Sequence, residues 1–329
     1  MKHYEALTVK DEPVFTLEKE TLSTENLPTG DVTFKVEYSG VNYKDALASI
    51  EKGGVIRQYP MVPGIDASGV VLDSQDPDFK MGQEIIVTSY GFGVSHPGGY
   101  SQIQKVPAEW VVPLPEGLTL KDAMKFGTAG FTAALAVQGI EEAGAKKDSR
   151  ILITGASGGV GSIAIAMLKK LGFEHVIAVS RKDSAKNWLT DLGATEIVTP
   201  DSLIPEKPKA LNKQNFDFVI DTVGGALAST LIPQIQYDGA MALCGNASGI
   251  KLDTTVLPFI LRGVKLLGID SVNTPMAKRQ QIWQRLATDL NVADVLKVNE
   301  LAFDELPATF EALLGGTHEG RSVVKIAVD

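Results

Sequence analysis

Between Val32 and Tyr38 the chain alternates: Val32, Phe34, Val36 and Tyr38 point one way, and Thr33, Lys35 and Glu37 the other. A period of two marks a strand with one face buried. Short apolar runs follow at 69–72, 84–88 and 101–106, separated by Pro60, Pro63, Gly64, Pro97, Gly98, Gly99, Pro107 and Pro113. The first 120 residues are therefore predicted to be β-rich, with a turn or two of helix at 43–50. At Pro115-Glu116-Gly117 the texture changes. Thr119 is placed as a helix N-cap with Asp122 three residues on, and a long helical pattern runs through Gln138. Strands are then predicted at 150–154, 175–180, 196–198, 217–221, 240–244 and 264–268, with helices between most of them. Such alternation makes βαβ units and a doubly wound parallel sheet. Beyond Asn299, strand-like pieces at 301–303 and 322–328 flank a short helix at 306–314. The expected class is α/β, with a Rossmann domain at 121–298 inserted between the halves of a β-rich domain at 1–120 and 299–329.

With 329 residues, 44% of them hydrophobic, the chain can bury a core of about two domains. A net charge of −9 with interspersed signs argues against nucleic acid, and no basic cluster suggests a membrane surface. A single cysteine, Cys244, excludes an internal disulfide and a zinc site built on several thiolates. The opening residues MKHYEALTVK hold no apolar leader segment, and no apolar stretch reaches membrane length, so a reducing cytoplasm is the expected setting.

Residues 151–161 read ILITGASGGVG: a β-branched run, a glycine-rich turn, then helical spacing. A strand that ends in glycines and opens a helix is built to hold a dinucleotide pyrophosphate. Ala156-Ser157-Gly158-Gly159-Val160-Gly161 supplies the fingerprint with alanine in its first position. Alone, such a turn also serves purely structural ends; its place between two strands and before a helix favours the cofactor. NAD sites put an acidic residue at the end of the second strand, on the ribose 2′-hydroxyl. Here that strand runs into Ser180, Arg181 and Lys182. A hydroxyl and two cations suit a 2′-phosphate, so NADPH is expected; the plainer reading is a solvated loop pair. Asp183 is expected to cap the next helix.

The order of parts resembles the medium-chain dehydrogenases and reductases over nearly the whole chain. Zinc-bearing members show Cys-Arg-x-Asp and Gly-His-Glu, where this chain has Asn42-Tyr43-Lys44-Asp45 and Gly64-Ile65-Asp66. The expectation is a zinc-independent enzyme with no bound metal. The segments 40–46, 62–66, 127–133 and 266–271, with Gly320-Arg321-Ser322-Val323-Val324, look like the YhdH/YhfP-type quinone oxidoreductases, a branch that also holds NADPH-dependent acryloyl-CoA reductases. The resemblance implies a GroES-like domain, a Rossmann domain, NADPH in the cleft, usually a homodimer, and hydride transfer to an activated C=C or a quinone. It places Asn42, Tyr43, Lys44, Asp45 and Arg57 near the chemistry. Asn42 is a candidate to donate to the carbonyl, to orient the nicotinamide or only to cap a helix. Tyr43 is a candidate acid or substrate wall, and Lys44 a source of positive charge or of the proton. Asp45 is a candidate to hold Lys44 or Arg57, or forms a surface pair with Lys44. Tyr59 is expected on the loop with Arg57. Thr128, Thr132, Val223, Gly224, Gly245, Asn246, Leu267, Gly268 and Arg321 are expected at the cofactor, although a structural ion pair suits Arg321 equally. A CoA acceptor needs cations for its phosphates, and Lys52, Arg57, Arg262, Lys278 and Arg279 are the candidates.

Two other classes compete. Gly155-Ala156-Ser157-Gly158-Gly159 also satisfies the nucleophile elbow of serine hydrolases, with His96-Pro97-Gly98-Gly99 as an oxyanion loop and His318 as a late base. That reading leaves Gly161 and the cationic strand end without a role. An NADPH-binding protein of low turnover would carry the same cofactor motifs.

Overall fold

The computed structural model describes residues 2–326. Contacts divide them into two compact units: the residues up to 128, with 272–287 and those from 297 on, and a second unit of 129–271 with 288–296. In the first, β1 (His3–Lys10) and β2 (Thr16–Ser23) form an antiparallel hairpin. The strand β3 (Val32–Val41) leads to a short helix α1 (Tyr43–Ala48), then to β4 (Asp66–Ser74), β5 (Glu84–Thr88), β6 (Ile103–Val106) and β7 (Val111–Pro113). β3 pairs antiparallel with β4 and β6. Its Val32, Phe34 and Val36 are fully buried, as the alternation predicts, and pack with Ile85, Phe92 and Tyr100. Such a core dominates the stability of the unit, each large apolar side chain contributing about 1.5–3 kcal/mol.

Thr119 Oγ1 accepts the Asp122 amide at 3.1 Å, the expected cap, and α2 (Leu120–Glu142) runs about a turn beyond Gln138. Gly127 interrupts it with φ 51° and ψ −154°.

The second unit follows in order: β8 (Arg150–Ile153), α3 (Gly159–Lys170), β9 (His175–Val179), α4 (Lys186–Leu192), β10 (Glu196–Val198), β11 (Phe216–Asp221), α5 (Gly225–Leu231), β12 (Ile235–Leu243), α6 (Leu257–Arg262) and β13 (Lys265–Gly268). Its sheet has the order β10-β9-β8-β11-β12-β13, and every pair is parallel. The topology switches between β8 and β11, where such sheets bind ligands. β12 begins five residues before the predicted start, because its exposed Tyr237 and Asp238 hide it from an apolar pattern. Asp183 does not cap α4. It opens a separate 3₁₀ turn and pairs with Lys186 at 2.8 Å.

The chain then returns to the first unit as α7 (Met276–Ala287). The buried Arg279 ties this helix to the first unit, whereas the expected 121–298 division puts it in the second. Arg279 is 0% exposed, donates to the Thr88 carbonyl (3.2 Å) and hydroxyl (3.0 Å), and lies over the Tyr90 ring at 4.3 Å. Next come β14 (Val298–Leu301), α8 (Leu306–Leu314) and β15 (Arg321–Lys325). β15 lies between β14 and β3. The strand predicted at 301–303 sits at 298–301 instead, since Phe303 opens a 3₁₀ turn. Residues 327 and 328 of the strand predicted at 322–328 lie outside the described residues. No described helix is long and apolar enough to cross a membrane.

Candidate functional site

Most residues expected at a dinucleotide lie where the parallel strands of the second unit end. Ala156, Ser157, Gly158, Gly159 and Val160 follow β8; Ser180, Arg181 and Lys182 follow β9; Val223 and Gly224 follow β11; Gly245 and Asn246 follow β12; Leu267 and Gly268 close β13. No side chain caps α3 at Gly158, so its first-turn N–H groups and the positive end of its dipole remain open to an anion. At Gly161 a Cβ would stand 2.5 Å from the Gly155 carbonyl oxygen and 2.8 Å from the Ala156 Cα. Only glycine lets the turn and the helix approach that closely. The chemistry of this turn fits a dinucleotide pyrophosphate.

Asp221 holds the neighbouring loop. It is fully buried and accepts from Thr154 Oγ1 and from the Gly224 amide, both at 2.7 Å. Thr154 Oγ1 in turn accepts the Thr222 amide at 2.9 Å. Burial pushes the Asp221 carboxyl above its usual range, and these hydrogen bonds pull it back. After β9, Ser180 Oγ accepts the Lys182 amide at 3.1 Å. Arg181 is exposed and has no hydrogen bond or ion pair among the described residues.

In the first unit the Asn42–Asp45 segment closes a buried polar cluster. Asp45 accepts from the Asn42 amide (2.8 Å), Asn42 Nδ2 (3.2 Å) and the Ile65 amide (2.9 Å). Asp66 accepts from Asn42 Nδ2 (2.7 Å), the Thr128 amide (2.9 Å) and Thr128 Oγ1 (2.5 Å). Arg321 donates to the carbonyls of Lys125 (3.0 Å) and Val41 (2.9 Å) and to Asn42 Oδ1 (3.2 Å). Both aspartates are 0% exposed and Arg321 3%. Burial, reinforced by the nearby Asp66, pushes Asp45 up to about 7. A Cβ at Gly127 would lie 2.3 Å from Asp66 Oδ2, and its φ of +51° is one that side chains disfavour.

These bonds revise several expected roles. The Asn42 amide is committed to Asp45, Asp66 and Arg321, so it orders the start of α1 and does not donate to a substrate. Asp45 lies inside the unit and holds neither Lys44 nor Arg57. The Thr128 hydroxyl belongs to Asp66, and Thr132 is buried. Arg321 is placed in this cluster rather than on an open cofactor surface. Tyr59 packs edge-on against Phe15. Of the five residues expected at the chemistry, Tyr43, Lys44 and Arg57 keep polar groups without a hydrogen bond or ion pair among the described residues. Tyr43 is 48% exposed. Among the expected CoA cations, Arg279 is buried as described, and Arg262 ties the Pro233, Ile235 and Asn212 carbonyls together.

The sequence reading missed Asp66 as the carboxylate that accepts from Asn42 and Thr128; it lies more than twenty residues from each, beyond any local pattern. The hydrolase reading finds no triad. His318 Nε2 is 2.7 Å from Ser322 Oγ, and His96 Nδ1 is 2.9 Å from the Pro97 carbonyl; neither serves Ser157. The described residues also contain no cluster of three histidine, cysteine or acidic side chains able to hold a metal ion. Asn42 and Ile65 stand where the zinc-bearing pattern has cysteine and histidine, and the neighbouring Asp45 and Asp66 are engaged by N–H and O–H donors, so the residues present do not fit zinc.

Residues 28–116 match the alcohol dehydrogenase GroES-like domain, and 159–288 match the zinc-binding dehydrogenase family. The chain is 45% identical over 309 residues to the putative quinone oxidoreductase YhfP of Bacillus subtilis, covering 93% of each chain. It is 45% identical over 308 residues to the acrylyl-CoA reductase AcuI of Ruegeria pomeroyi, again 93% of both. Among solved structures, the yhdH oxidoreductase of Salmonella enterica in complex with NADP superposes with a TM-score of 0.94 at 42% identity, over 98% of this chain and 100% of the other.

Proposed function

Because the chain belongs to the medium-chain dehydrogenase/reductase superfamily, in the branch of YhfP and the acrylyl-CoA reductases, we propose that it is a zinc-independent NADPH-dependent reductase of an electrophilic acceptor: a short 2-enoyl-CoA such as acryloyl-CoA, an enone or a quinone. The observation that carries the cofactor half is the uncapped α3 start at Gly158 beside the free Arg181. NADPH, when bound, supplies the hydride that such an acceptor takes up. Gly158–Val160 hold the pyrophosphate by backbone N–H groups. Ser180, Arg181 and Lys182 hold the 2′-phosphate. Val223, Gly224, Gly245, Asn246, Leu267 and Gly268 line the rest. On the acceptor side, Tyr43 donates a hydrogen bond to the carbonyl oxygen, where negative charge develops as hydride arrives.

The test is NADPH oxidation, followed by absorbance in chelator-containing buffer, with acryloyl-CoA and benzoquinone side by side. Turnover of either supports the reading and its direction; tight NADPH binding with turnover of neither would leave only a cofactor-binding protein. In the same assay Arg181→Asp is expected to raise KM for NADPH by about 10–100-fold, since a charge-assisted bond is worth about 1.5–3 kcal/mol. NADH should be little affected. Equal effects on both cofactors would remove Arg181 from the 2′-phosphate.

A homodimer is part of the same proposal. β13 is an edge strand of its sheet; its own Leu266 is 41% exposed, and Ile260 and Leu261 of the preceding α6 are 68% and 57% exposed. An unpaired edge with apolar neighbours is a self-complementary surface. Leu266→Glu is expected to halve the mass seen by light scattering; an unchanged mass would point to another interface. The expected compartment is the cytoplasm, which cell fractionation checks.

A further inference from the structure

Lys44 and Arg57, thirteen positions apart in sequence, line one pocket of about 530 Å³ in the first unit, with Val55, Gln58, Val94 and Ser95. No carboxylate lines it, although the chain as a whole carries a charge of −9. Neither cation has an ion pair or hydrogen bond among the described residues. Surface cations in an acidic protein normally lie near carboxylates, so two that converge without one favour an anion from outside. Both are mounted on fixed supports. α1, which carries Lys44, is anchored by the buried Asp45 through the Ile65 amide. Arg57 follows the buried Ile56, which packs with Val9, Ala48 and Met61, and Met61 exchanges backbone hydrogen bonds with Val9 at 2.8 and 2.9 Å. The fixed backbone confines the ordering cost of binding to the two side chains themselves.

We infer that this pocket binds the phosphate-bearing end of the acceptor, which selects a nucleotide-linked thioester over a phosphate-free one. The inference rests on the reductase reading above and deepens its acceptor side. Arg57 offers a planar fork that matches two phosphate oxygens, and Lys44 a point charge for a third. Gln58 and Ser95 add neutral hydrogen-bonding groups to the lining. The volume exceeds what a single inorganic phosphate needs and suits a larger phosphorylated group.

The experiment compares acryloyl-CoA with acryloyl-pantetheine, which has the same reacting group and no phosphate. The double variant Lys44→Gln/Arg57→Gln is expected to reduce the kcat/KM ratio of the first substrate to the second by at least about 10-fold, because two charge-assisted contacts are lost. Lys44→Arg/Arg57→Lys, which keeps both charges, should retain most of that ratio. An unchanged ratio in the double glutamine variant overturns the inference, as does an equal loss in the charge-conserving variant. Binding of free CoA to the NADPH-loaded protein, measured by calorimetry, separates the two levels. CoA binding that the double variant loses, without thioester reduction, would retain the pocket and refute the enoyl-CoA reading. Absence of CoA binding by the unaltered protein would refute the pocket even if quinone is reduced.

Discussion

Arg321→Met is expected to destabilise the first unit by about 3–5 kcal/mol, the usual cost of leaving a buried charge without its opposite. The guanidinium sits 3% exposed beside two fully buried aspartates, and it satisfies the Val41 and Lys125 carbonyls and Asn42 Oδ1. Methionine fills part of the space and satisfies none of them. The pH dependence distinguishes loss of charge from loss of packing. Asp45 is held at about 7 in the fold, against 3.8 for the free group. Between those values the native state holds a proton that the unfolded chain releases. Stability from this group is therefore full below about pH 4 and is lost as pH rises through about 7, at up to about 1.4 kcal/mol per pH unit. Asp221, also raised by burial, acts in the same direction. Asp122 and Asp183 are lowered, so their contributions are lost only below the ordinary carboxylate range and do not oppose the trend. Urea unfolding should show the unaltered protein more stable at pH 5.5 than at pH 8. In Arg321→Met the gap should widen, because the Asp45 proton becomes harder to remove. A loss under 1 kcal/mol with the same pH profile would show that the arginine does not balance this cluster.

Tyr43→Phe should lower kcat by about 10²–10³-fold, or about 2.7–4 kcal/mol of barrier, on acryloyl-CoA and benzoquinone alike. Elimination leads to this residue. Asn42, Asp45 and Thr128 use their polar groups within the buried cluster, whereas the Tyr43 hydroxyl is uncommitted on a half-exposed ring. The substitution keeps the ring and removes no hydrogen bond within the described fold, so stability and NADPH affinity should hold while kcat falls. A fall in kcat/KM through KM alone would make Tyr43 a wall of the acceptor site. An unchanged kcat would remove it from the chemistry.

What the sequence could reveal follows the range of its signals. The alternation at 32–36 and the glycine turn at 155–161 are local patterns, and both appear in the structure where the pattern puts them. The zinc motifs were legible as substitutions, because Asn42 and Ile65 offer neither a thiolate nor an imidazole in the expected places. Long-range partnerships were not legible. Arg279 and Arg321 look like surface cations in sequence, yet both are buried by carbonyls and hydroxyls from segments far along the chain. For the same reason Asn42 looked available to a substrate until its two aspartate neighbours were in place. The convergence of Lys44 and Arg57 also depends on the loop after α1 turning back, which no periodicity encodes.

The three-segment construction of the first unit bears on how the protein is made. The parallel sheet of the second unit comes from one uninterrupted stretch, β8 to β13, and can close as soon as that stretch leaves the ribosome. The acceptor half cannot. Residues 38–41 of β3, which run directly into Asn42 and Tyr43, pair with β15. At about 5–20 residues per second, that strand is synthesised tens of seconds after Asp66. Until then an edge of β3 stays open and the aspartates lack their arginine. The nascent chain therefore matures from the middle outward, its cofactor half ahead of its acceptor half, and the open β3 edge is the surface that a chaperone would most usefully cover.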